Sequence, residues 1–320
     1  RGSVSALNAY TGKILWKTYV IPTAPTERGK NANGVPQFGP SGAGVWNSPT
    51  IDEKRERLYV GTGENASSPP VNGGSVIAID MVDGNIAWVM QGAPGEAYNG
   101  SCSTLYSKDE VNCPKEYKGR IGLDIGASPM LLEDKHGRDI IVAGQKTGWV
   151  FGLNPDRNGK VIWRRSISRG DYNKGVLFGM SVDRETVFTT VYDLYADPSK
   201  GSYLGIEELG VHALNGFTGE WIWSAPVSRN CKEGRCRGYV AALTTIPGAV
   251  FAGAQDGYFR ALNTHNGKLL WEFNTSIEFS DVNGVIATGG KIAGPGPIIV
   301  NGNVYLNAGN SLLVFSVNGK

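Results

Sequence analysis

The residues of this chain best equipped for chemistry are four cysteines, three histidines and a few ionisable side chains in apolar company. The cysteines form two local pairs, Cys102 with Cys113 and Cys231 with Cys236. Pairing within each couple would staple two polar, Gly-rich loops and would imply an oxidising compartment. Zinc is the rival reading. The spacings do not match the common zinc motifs, and His136, His212 and His265 lie far from the cysteines in sequence. No Cys-x-x-Cys-His occurs, so the chain carries no c-type haem attachment signal. Asp124 is flanked by Leu123, Ile125, Gly126 and Ala127, surroundings that disfavour a bare charge; the plainer reading is a turn-capping Asp. Lys146 stands in Gln145-Lys146-Thr147-Gly148, which also reads as an ordinary hairpin turn.

These residues must be positioned by a repeat. Ala6-Leu7-Asn8, a turn ending Thr11-Gly12-Lys13, and then Ile14-Leu15-Trp16 make a phrase that returns four times. It ends at Trp88, Trp163, Trp223 and Trp271, and a truncated copy closes the chain at Asn318-Gly319-Lys320. An alternating apolar segment, a polar turn with Gly free to take positive φ, and a second apolar segment are a β-hairpin. The repeat Trp is expected to pack between neighbouring units as hydrophobic payload. Trp46 lies outside the phrase, which sets it apart from the other five.

Between the phrases lie further short strands, four to a unit, which is the pattern of an all-β propeller. The expected single partial domain spans 1–320: a blade end at 1–20, then blades at about 45–90, 126–167, 178–226, 239–275 and 293–320. Residues 46–52, 127–132 and 178–182 read as inner strands. The fifth unit stops after its third strand. With Arg1 close to a hairpin whose preceding strands are missing, the expectation is about five blades of an eight-bladed whole. Only the Trp223 to Trp271 interval is near the ~40–50 residues of a bare blade. The surplus falls in loops at 21–44, 91–124 and 193–210, and long loops in compact folds usually carry function. A net charge of +2 gives no electrostatic footprint for nucleic acid. No apolar run is long enough to span a membrane.

The hairpin phrase resembles the tryptophan-docking motif of quinoprotein dehydrogenases. Gly39-Pro40-Ser41-Gly42-Ala43-Gly44-Val45-Trp46, Thr62-Gly63-Glu64-Asn65, Asp124-Ile125-Gly126-Ala127-Ser128-Pro129, Gly144-Gln145-Lys146-Thr147-Gly148, Val282-Asn283-Gly284-Val285 and both Cys pairs are similar, in the same order, to the C-terminal part of polyvinyl alcohol dehydrogenases. The resemblance implies pyrroloquinoline quinone and Ca²⁺ as cofactors. It implies that Trp46 stacks on the quinone, that Asp124 is the general base, and that Lys146 hydrogen-bonds the quinone oxygens. Glu64 falls where the family carries a Ca²⁺-ligating Asn or Asp, a departure in length, with Asn65 a substitute and Asp124 a further ligand. Asn283 would approach the cofactor. Phe178-Gly179-Met180 replaces a Trp-Gly-Met of the family.

The implied activity is oxidation of secondary alcohols, polymeric ones included, in the periplasm or outside the cell, with electrons passing to a cytochrome c on another chain or domain. Two other classes compete: a cofactor-free propeller acting as a scaffold, and an extracellular sugar-binding propeller using Tyr98, Tyr106 or Tyr195. A scaffold would keep the repeat without needing Trp46, Asp124 and Lys146 at these blade positions.

Overall fold

The computed structural model describes residues 1–102, 111–114, 117–118, 121–168, 174–193, 209–226 and 238–317. Cys231, Cys236, Tyr106 and Tyr195 lie outside the described residues. An opening hairpin pairs Ser3–Leu7 with Ile14–Tyr19. Four antiparallel four-stranded sheets follow. Blade 1 is Thr50–Asp52, Arg57–Gly61, Ser75–Asp80 and Ile86–Gln91. Blade 2 is Met130–Glu133, Asp139–Gly144, Trp149–Asn154 and Lys160–Ser166. Blade 3 is Ser181–Asp183, Thr186–Thr190, Gly210–Asn215 and Trp221–Pro226. Blade 4 is Thr244–Ile246, Ala249–Gly253, Tyr258–Asn263 and Leu269–Asn274. A three-stranded sheet, blade 5, holds Ile298–Val300, Asn303–Ala308 and Ser311–Ser316. In each of these five sheets the strands pair in sequence order. Among the described residues there is no α-helix, and none is long and apolar enough to cross a membrane.

The repeat phrase builds the joints between blades. Its Asn or Asp accepts backbone N–H groups of the turn: Asn8 from Tyr10 and Thr11, Asp80 from Val82, Asn215 from Phe217 and Thr218, Asn263 from His265. The small residue before it faces the Trp across the hairpin, as Ala6 faces Trp16 and Ala213 faces Trp223. The indoles of Trp16, Trp88, Trp163 and Trp223 then reach into the next unit's turn. Trp16 Nε1 donates to Met81 O at 2.9 Å, Trp163 Nε1 to Gly216 O at 3.1 Å and Trp223 Nε1 to Thr264 O at 2.9 Å. The turn glycine must lack a side chain. A Cβ on Gly159 would lie 2.5 Å from the Trp88 ring, and one on Gly219 2.4 Å from the Trp163 ring. Both glycines also hold positive φ, 67° and 69°.

The middle strands are apolar on both faces because each face meets a different neighbour. In blade 1, Leu58, Val60, Ile77 and Ile79 pack toward the opening hairpin with Val20 and Ile21. Tyr59, Val76 and Ala78 pack toward blade 2 with Ile141, Ala143, Phe151 and Leu153. The period-2 alternation of a strand therefore feeds two cores at once. At its rim this same blade interface is pinned by charge: Arg55 meets Asp52 at 3.0 Å, Asp139 at 2.6 Å and Asp156 at 2.7 Å.

The inner strand of blade 1 is shorter than the sequence suggests. It begins at Thr50, and residues 46–49 stand outside the ladder. Asn47 explains this. Its side chain donates to Gly61 O and Ile125 O and accepts the Gly61 N–H, so the segment is held by one side chain in place of strand pairing. The inner strand of blade 3 likewise starts at Ser181, leaving Phe178 free of the sheet.

Candidate active site

Asp124 lies just before the inner strand of blade 2, and Lys146 in the turn joining that blade's second and third strands. The backbone laces them together. The Lys146 N–H donates to Asp124 O at 3.0 Å, and the Ile125 N–H to Thr62 O of blade 1 at 3.1 Å. The side chains then meet: Lys146 Nζ donates to Asp124 Oδ2 at 2.7 Å, with both groups buried. The charge that apolar neighbours would disfavour is thus given a partner. Asp124 Oδ1 is buried, and no backbone N–H, lysine or amide donor reaches it.

Glu64 follows the second strand of blade 1 and brings a second carboxyl to this place. A Cβ on Gly122 would sit 3.5 Å from Asp124 Oδ1, 3.6 Å from Glu64 Oε2 and 3.6 Å from the Tyr98 ring. The space over Gly122 is therefore faced by two carboxylate oxygens. Burial first, and the Asp124 charge and hydrogen bond next, push the Glu64 carboxyl up to about 7. Two ionised carboxylates offer each other no donor. Asp124 Oδ1 gains a donor only when Glu64 carries a proton.

Glu96 is a third acid here, and nothing in the sequence distinguishes it within its long loop. Its Oε2 accepts the Asn65 N–H at 3.0 Å and its Oε1 the Leu123 N–H at 3.3 Å. Burial pushes it up to about 7 against these two bonds, and the Asp124 and Glu64 charges add to the rise. Gln145, fully buried, donates to Leu123 O at 2.8 Å and Gly74 O at 3.1 Å.

Trp46 lies across Gly126, where a Cβ would come within 2.1 Å of the indole. Its ring centroid is 5.7 Å from Lys146 Nζ and 5.9 Å from the edge-on Phe178 ring. Unlike a core Trp it is 40% exposed, a flat aromatic face open beside a buried ion pair. Asn65 is buried, and its side chain is engaged by the Val71 N–H and the Glu96 carbonyl. Asn283 is exposed in the turn of the Glu278–Ser280/Ile286–Thr288 hairpin, and its N–H donates to Asp281 Oδ1. Among the described residues no set of three or more His, Cys, Asp and Glu gathers as a complete metal cage; Glu64 and Asp124 supply two oxygen donors. The Cys102–Cys113 disulfide is formed, and the zinc alternative for that pair falls away.

The residue sets that converge are Trp46, Glu64, Asp124 and Lys146, with Glu96 behind them. This arrangement pairs a hard-oxygen donor set with an aromatic platform and a cation. The family model described as outer membrane protein assembly factor BamB, PQQ_2, matches residues 1–192 and 146–319. A polyvinylalcohol dehydrogenase of a Pseudomonas species is 36% identical over the whole chain, which covers 52% of that protein. One from a Sphingopyxis species is 34% identical over the whole chain, again with 52% of the relative covered. The chain thus spans about half the length of these curated relatives. The solved quinohemoprotein alcohol dehydrogenase of Comamonas testosteroni superposes with a TM-score of 0.60 over 96% of this chain and 52% of its own, at 17% identity, which speaks for the fold. Together with the docking joints, these similarities establish that the chain belongs to the PQQ_2 family, as a propeller similar over its whole length to part of the polyvinylalcohol dehydrogenases.

Proposed function

We propose that this propeller carries the active site of a pyrroloquinoline quinone-dependent dehydrogenase for secondary alcohols, polyvinyl alcohol among them. The observation that carries the reading is Asp124: one oxygen tied to Lys146 at 2.7 Å, the other buried with only the Glu64 carboxyl beside it and facing the space over Gly122. An orphaned buried carboxylate oxygen is costly unless something is to occupy the place beside it.

The residues fit the two cofactors. Trp46 would hold the flat quinone, Lys146 would hydrogen-bond its oxygens, and Glu64 with Asp124 would ligate Ca²⁺, with Asn65 a lesser candidate for the metal and Asn283 a lesser one for the quinone. When bound, the quinone supplies the acceptor for the carbinol hydride, and Ca²⁺ supplies Lewis acidity. Asp124 takes the substrate hydroxyl proton as general base. Lys146 fixes the orientation of that carboxylate. The indole of Trp46, backed by Phe178, sheds water from one side of the site. A cytochrome c would accept the electrons. The Cys102–Cys113 disulfide supports a periplasmic or secreted setting.

The test is a titration of the chain with pyrroloquinoline quinone and Ca²⁺, read by Trp fluorescence. Saturable quenching that Trp46→Ala abolishes, followed by dye-linked alcohol oxidation that Asp124→Asn abolishes, is the expected result. A folded chain that binds no quinone in this titration contradicts the proposal and leaves the scaffold reading.

A further inference from the structure

Glu96 joins the two strands of backbone that carry the acidic oxygens. The Asn65 N–H, one residue from Glu64, donates to its Oε2 at 3.0 Å, and the Leu123 N–H, one residue from Asp124, donates to its Oε1 at 3.3 Å. Its own carbonyl accepts the Asn65 Nδ2 at 3.0 Å. The Leu123 peptide is gripped from its other side as well, because Gln145, the neighbour of Lys146, donates to Leu123 O at 2.8 Å. Gly73 and Gly74 leave room for this arrangement. A Cβ on Gly73 would lie 2.6 Å from Glu96 Oε2 and 2.0 Å from Asn65 Nδ2. Glu96 is 5% exposed, too deep for a surface acid placed there by chance.

We infer that Glu96 is a positioning residue: a carboxylate clamp that sets the separation of Glu64 and Asp124, and through Leu123 and Gln145 the approach of Lys146. It touches neither substrate nor cofactor. A two-oxygen acceptor is what two converging N–H donors need. An amide in its place would satisfy one and turn its own donor toward the other. Partners one step behind a binding group typically change affinity about 10–100-fold when lost. The inference rests on the dehydrogenase reading for its purpose, but the clamp itself is testable without any cofactor.

Amide hydrogen exchange of the full chain, read on segments 64–66 and 121–125, is compared for wild type, Glu96→Gln, Glu96→Ala and Asp52→Asn, a control that weakens blade 1 elsewhere. Glu96→Ala is expected to speed exchange about 10-fold or more in both segments, with Glu96→Gln intermediate and the control unchanged there. Lys146, buried in wild type, should become open to an amine-acylating reagent in Glu96→Ala alone. Wild-type protection of both segments in Glu96→Ala, or a rise spread evenly over blades 1 and 2, overturns the clamp. If exchange and acylation respond as expected while no quinone binds, the clamp stands and the dehydrogenase reading fails.

Discussion

Lys146 Nζ holds one oxygen of Asp124 at 2.7 Å and leaves the other to the Glu64 carboxyl alone. The pair is buried, so removing one member strands a charge. Lys146→Met is expected to cost about 3–5 kcal/mol in urea unfolding at pH 7.5. Adding Asp124→Asn should recover most of that loss, because the double variant buries no lone ion. Equal losses in the single and double variants would mean that the pair is not coupled.

The two classes of tryptophan should behave differently. Trp163 is a joint, and Trp163→Ala is expected to cost about 3–5 kcal/mol through lost packing. Trp46 is 40% exposed and outside the ladders, so Trp46→Ala should cost about 1 kcal/mol or less. Thermal unfolding of the two variants side by side decides between a platform and a core residue.

Glu64 and Glu96 are both pushed up to about 7 from 4.5. Between those values the folded chain keeps protons that the unfolded chain has released. Stability must therefore fall as pH rises from about 4.5 to about 7 and then level off. Glu64→Gln is expected to flatten that slope and to raise stability at pH 8 by on the order of 1–3 kcal/mol in the metal-free chain. Ca²⁺ binding by the wild type should release protons near pH 7 and so tighten as pH rises. Urea midpoints at four pH values, with and without Ca²⁺, would show both effects.

The docking glycines can be isolated by comparing Gly219 with Gly12. Both hold positive φ, at 69° and 70°. A Cβ on Gly12 meets nothing within 4 Å, while one on Gly219 meets the Trp163 ring at 2.4 Å. Gly12→Ala should therefore cost only the backbone strain, about 1–2 kcal/mol. Gly219→Ala should cost about 1–3 kcal/mol more as the indole is displaced. Equal losses would show that the turn alone, and not the joint, demands glycine.

Much of this was legible because the joints repeat. A Trp, a small residue and a turn glycine recur together, and each fills the same place in each blade, so their pattern carries the architecture. Trp46, Glu64, Asp124 and Lys146 converge because they sit at equivalent strand ends of adjacent blades, which the shared order of motifs anticipates. Glu96 was not legible. Its burial comes from the folding back of a long loop over Gly73 and Gly74, and no local pattern marks that return. Residues 46–49 read as a continuation of the strand at 50–52, yet the Asn47 side chain takes the Gly61 and Ile125 backbone groups in place of a ladder. Asn283 shows the opposite limit: its motif matches in order, while its turn leaves it exposed.

The forward reach of each indole has an optical consequence. Trp16 rests on a turn of blade 1, Trp88 on blade 2, Trp163 on blade 3 and Trp223 on blade 4. The emission of each therefore reports on the unit after its own. Chains that retain one of these four indoles, with Phe at the other seven tryptophans, would make a set of internal gauges, one per joint, reading whether the array comes apart at once or loosens from one end.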